Sequence, residues 1–214
     1  MHRKMTILGV AALLLVGARA GQAQMQAKMS GSTIVSVSDL RVSLNNLLAE
    51  HVFLAGAATG AALGGRDGEF KAAAGALDAN SVALSQAIGS VYRSDAEQAF
   101  LALWRKHIGF AVDYTTGVAT KDKAKQDKAV SDLLGYANDF GAFLSSANPN
   151  LPKDAVAGLV KTHIVTLKGV IDAQAAGDLP GAYSKAREAV GHMRMIADPL
   201  AGAIGKQFPK KYGQ

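Results

Sequence analysis

No cysteine occurs anywhere in the 214 residues. That excludes disulfides, thiolate metal sites, a lipid-attached thiol and covalent c-type haem, so stability has to come from packing alone. Aromatic residues are scarce at 6%. Long apolar runs are lacking too. The N-terminal one, Met5 to Val16, is broken by Thr6 and Gly9 and falls short of the roughly 20 residues that a spanning helix needs. A dense basic stripe is also missing. The chain carries 23 basic and 17 acidic residues, but Arg3, Lys4 and Arg19 belong to the N-terminal segment, leaving 20 − 17 = +3 for the rest. Nucleic-acid binding needs a basic face that tracks phosphates, and only a short basic tail at Lys206, Lys210 and Lys211 is present. No nucleic acid is expected as a partner.

What is present begins with an export pattern. His2, Arg3 and Lys4 precede the short apolar core, and small residues follow, with cleavage expected after Ala20 or Ala23. Residues 1–23 therefore read as a signal peptide and 24–38 as a flexible leader. The mature protein is expected in the periplasm or outside the cell, with no membrane anchor after cleavage. About 190 residues remain, enough for one domain with a sizeable core.

Three histidines set the organisation of that domain: His51, His107 and His163 stand at equal intervals (107−51 = 163−107 = 56). Rows 39–94, 95–150 and 151–206 align without gaps. Leu47, Leu103 and Leu159 share one column, and Leu84, Phe140 and Ile196 another. Each row has apolar residues at helical spacing on both sides of a Gly- or Asp-containing turn. The expected fold is all-α: six helices in a bundle or array of three tandem 56-residue antiparallel hairpins, ending in a basic tail at 207–214. Ser94 to Glu97 has the spacing of a capping box, Asn148 to Pro152 reads as a helix stop and restart, and Gly56, Gly60 and Gly64 read as close helix packing.

The histidines lie on the apolar stripes and should point inward. Counting back from each turn at 1.5 Å per residue sets Asn80 opposite His51, Tyr136 opposite His107 and His192 opposite His163. A polar layer is thus expected to cross the core. Imidazole is the commonest side-chain metal ligand, and bundles build metal sites from facing helices. His51, His107, His163 and His192 are the candidate ligands, with Asn80, Tyr136 and Glu188 in support. Copper, zinc, nickel, iron or a b-type haem held by two histidines are the candidate cofactors. Met193 and Met195 would suit Cu(I), but residues two apart on a helix face different ways. In the alternative reading the histidines are structural hydrogen bonders in a cofactor-free module that binds a protein, an envelope component or a small apolar ligand. Acidic residues do not repeat, no Ser-His-Asp spacing or phosphate loop stands out, and a non-enzymatic binding role is expected.

The stretches LLAEHVFLAGAATGAALGG, ALDANSVALSQAIGSVY, LWRKHIGFAVDYTTG and FLSSANPNLP resemble a family of secreted bacterial helical proteins. Some members are fused to, and named after, a copper amine oxidase N-terminal-type domain. The resemblance spans nearly the whole mature chain. It implies export, a helical fold and a hint of copper, and it says nothing about catalysis, because that other domain and its quinone-forming tyrosine context are missing here.

Overall fold

A computed structural model describes residues 36–212. The expected signal peptide, and the expected leader up to residue 35, lie outside the described residues. Six long helices follow one another: α1 (Val37–Leu63), α2 (Asp67–Tyr92), α3 (Ser94–Ala119), α4 (Lys123–Ala147), α5 (Lys153–Ala175) and α6 (Leu179–Gln207). A short α7 (Pro209–Tyr212) ends the described chain. Among the described residues there is no strand, and no helix is long and apolar enough to cross a membrane.

Alanine-rich sequence favours these helices, and the turns between them share one geometry. Gly65, Lys121 and Gly177 all adopt positive φ, at 65°, 57° and 72°. In each turn the next amide reaches back to a carbonyl five residues earlier: Arg66 to Ala61, Asp122 to Gly117 and Asp178 to Ala173, at 2.8–2.9 Å. This is the Schellman ending, which favours glycine at the left-handed position. Lys121 holds that conformation with a Cβ, at a cost of about 1 kcal/mol. Lys121→Gly is therefore expected to raise the melting temperature by about 2–4 °C. An unchanged or lower midpoint by thermal denaturation would count against this account of the turn.

Packing order makes the arrangement cyclic. Each helix packs on the next, and α6 packs back on α1, closing the ring. In addition α1, α3 and α5 touch one another. The first helix of each pair is therefore inner, and α2, α4 and α6 are outer helices that each bridge two inner ones. Small side chains permit this close approach: Ala61, Ala137, Ala189, Ala197 and Ala201 have no exposed surface.

Polar contacts tie the inner set near the turns. Gln174 of α5 donates to the Gly56 carbonyl at 2.8 Å and accepts from the Thr59 hydroxyl at 2.8 Å, both on α1. The Tyr114 hydroxyl of α3 donates to Asp172 of α5 at 2.6 Å. At the opposite end, the Tyr92 hydroxyl donates to Gln207 at 2.8 Å and accepts from buried Asn148 at 3.1 Å.

Several local expectations change. Ser94 does not form a capping box, because α3 already begins at Ser94 and the preceding Arg93 turns the chain at φ 77° with no side-chain cap. Asn148 and Pro152 do end α4 and open α5. Of the three spaced glycines only Gly60 shows a close approach to another helix. A Cβ there would meet Gln174 at 3.0 Å, Gly56 has open space, and Gly64 caps α1. The leader ends sooner than expected, with Ser36 capping a helix that starts at Val37. The C-terminal tail is not simply solvated. Tyr212 is buried, Lys211 donates to the Ser90 carbonyl at 2.7 Å, and Phe208 meets Tyr92 edge to face.

Candidate metal centre

One histidine comes from each inner helix. On α1, the residues Leu44, Leu48, His51, Val52 and Ala55 form the buried stripe. His107 and His163 hold the matching place on α3 and α5. Because the inner helices converge, the three rings meet: His51 lies 5.3 Å from His107 and 5.6 Å from His163 between ring centroids. One nitrogen of each can be chosen so that all three lie within 4.8 Å of one another. Tetrahedral coordination at 2.0–2.1 Å places imidazole nitrogens roughly 3.3 Å apart. Ring rotation and a contraction of up to about 1.5 Å would therefore bring the three onto one ion.

The surroundings of these rings are largely apolar. Two small cavities of about 40 and 30 Å³ share His107 and His163 in their walls and are otherwise lined largely by apolar side chains. Trp104 sits one turn before His107, with its ring 4.5 Å from His107 and 5.0 Å from His51. Tyr136 stacks on the other side of His107 at 5.0 Å. Among the described residues, neither nitrogen of His51 has a hydrogen-bond partner, nor has Nδ1 of His107 or of His163.

Burial without partners disfavours the charged imidazolium. It lowers His107 and His163 from 6.5 to about 3, with further lowering by His163 on His107 and by His51 and His192 on His163, while a backbone hydrogen bond at Trp104 partly offsets the fall for His107. His51 is also held well below its usual value, first by burial and then by His107. All three are thus neutral at physiological pH, the form that binds metals.

The fourth expected ligand stays outside this cluster. His192 is half-buried, and its Nε2 bonds the Leu159 carbonyl at 2.8 Å. Asn80 makes the corresponding bond, donating to the Leu47 carbonyl at 3.0 Å and also to Glu50 at 2.8 Å. Asn80 therefore does not pair with His51. Leu47 and Leu159 lie one turn before His51 and His163. These bonds fix the register of each helix pair at the level of the histidines, a positioning role. Glu188 is exposed and takes no part in the layer. Asp113 and Asp198 are likewise at the surface, beside Lys125 and Arg41.

No protein-family model, no curated protein and no solved structure matches this chain. The residues of the centre itself carry the functional argument.

One residue beside the centre, Trp104, was not singled out in the sequence. Trp104 stands in a column with Leu48 and Val160 and reads there as ordinary core. Met193 is almost fully buried, while Met195 is 58% exposed. Met193 lines the larger cavity with His107 and His163. A haem does not fit: a ligand of that size needs a pocket of several hundred Å³, roughly, against about 40 Å³ here.

Proposed function

We propose that this chain is an exported, non-enzymatic binding protein that holds a transition-metal ion between His51, His107 and His163. The observation that carries the reading is the convergence of three buried imidazoles, four of whose ring nitrogens lack hydrogen-bond partners. An unsatisfied buried polar atom costs about 1–3 kcal/mol, and four such atoms concentrated at one point call for a common partner. Coordination of one ion takes one nitrogen from each ring and so supplies a partner for up to three of the four. The structural alternative requires hydrogen bonds to these histidines. In the described residues such bonds are made instead by Asn80 and His192, to backbone carbonyls. Export rests on the basic, apolar and small-residue order of the first 23 residues, and on the resemblance to secreted helical proteins.

Elemental analysis of the purified protein, before and after incubation with metal, tests this reading. We expect one ion per chain, lost in His51→Gln and in His107→Gln. His192→Gln should retain it, since His192 is spent on Leu159. Protein that takes up no ion, or a His192→Gln variant that loses it while His51→Gln does not, would overturn the assignment.

A further inference from the structure

We propose that the ion selected here is monovalent copper, with the Met193 thioether as a fourth donor beside the three histidines. The inference rests on the three-histidine reading above and adds the identity of its metal.

Charge is the first argument. Three neutral imidazoles bring no negative charge, and no carboxylate is buried among the described residues. The acid joined to the layer, Glu50, is at the surface and reaches it only through Asn80. A divalent ion would leave two uncompensated charges in a largely apolar core. The Born cost grows with the square of the charge, so a monovalent ion of similar size bears about a quarter of it. Iron, nickel and zinc sites commonly answer this problem with carboxylates or thiolates, and neither is available in the core.

Softness is the second. Thioether sulfur favours Cu(I) among the biological metals. Met193 is the only buried sulfur among the described residues, and it faces the cavity that His107 and His163 also line. Met195 points to solvent, as its offset of two residues on α6 requires. Coordination number is the third. A three-histidine zinc site commonly completes its shell with water, and a buried water needs two to four polar partners. The residues around this cavity are mostly Leu, Ile, Phe and Met. Cu(I) needs no water ligand and is content with three or four soft donors.

The chain's single tryptophan makes the test site-specific. Trp104 lies against both His51 and His107, so its fluorescence should respond to an ion bound there. The purified protein would be titrated without oxygen, with Cu(I) delivered from a chromophoric chelator and with Zn(II) in parallel. X-ray absorption would be recorded on the Cu(I)-loaded sample. We expect one equivalent of Cu(I), Cu(I) retained when both ions are offered together, and nitrogen plus one sulfur around copper. Met193→Leu, which conserves volume, should remove the sulfur signal and weaken Cu(I) by about tenfold or more, with Zn(II) affinity unchanged. Preference for Zn(II) would overturn the copper assignment and leave the histidine site standing. Binding of neither ion would overturn both. Wild-type copper affinity and an unchanged spectrum in Met193→Leu would remove Met193 from the site.

Discussion

The metal-free protein is expected to lose roughly 7 kcal/mol of stability between pH 6.5 and pH 4 through His107 and His163, and His51 adds to the same fall. Above pH 6.5 both the folded and the unfolded chain carry neutral imidazoles, and these groups add nothing to the pH dependence. Below that value the unfolded chain takes up protons. The folded core does not, because burial holds His107 and His163 at about 3 and keeps His51 well below 6.5. The unfolded state then binds more protons than the native one, so stability falls as pH falls. His107 and His163 each contribute about 1.4 kcal/mol per pH unit over that interval. A domain has only about 5–15 kcal/mol to lose, so these histidines should already remove a large share of its stability before surface carboxylates titrate. Urea melts from pH 7 to 4 would show the slope. A midpoint that stays flat down to pH 4.5 would contradict the account, as would an equally steep limb in a variant with the three histidines replaced by leucine. Saturating metal should shift the limb to lower pH, because an ion that binds only the native state opposes the protons.

The sequence makes much of this centre legible through one regularity. Residues placed at equal intervals on three equivalent stripes have to meet if their helices surround one axis, and His51, His107 and His163 do meet. The turns were readable for a similar reason: Gly65 and Gly177 mark left-handed positions, and Lys121 takes the same one without being glycine. Ring closure was not readable. Nothing local in α6 says that it packs on α1, and only the cyclic order makes α1, α3 and α5 inner helices. Which residue of α6 faces the axis was less legible than its height. Height along a hairpin was counted correctly to within a turn, but adjacent residues differ by about 100° around the helix. Rotation decides which one faces the axis. The burial of Ala189, Met193, Ala197 and Leu200 shows the inward stripe of α6, and it passes through Met193. The polar column of Asn80 and His192 was visible, but its partners were backbone carbonyls, which no side-chain pattern reveals.

The clearest separation between a metal centre and a structural histidine layer comes from His51→Leu. His51 is fully buried, and neither ring nitrogen has a partner among the described residues. Leucine has a similar volume and no polar atoms, and the walls that receive it include Trp104 and the other apolar side chains of the inner helices. Removing two unsatisfied atoms at about 1–3 kcal/mol each, less some strain from the change of shape, should stabilise the metal-free protein by about 2–4 kcal/mol. That corresponds to a rise of about 5–15 °C in its melting temperature at pH 7. The same variant should gain nothing from added metal, whereas the wild-type protein at a hundredfold excess over Kd gains about 2.7 kcal/mol. The two curves should therefore cross or converge as metal is added. A histidine kept for structure behaves in the opposite way: its replacement by leucine lowers the midpoint by several degrees and leaves any metal response intact. Residues retained against the stability of the empty protein are retained for what fills it, and a calorimetric scan of both proteins with and without metal measures that difference directly.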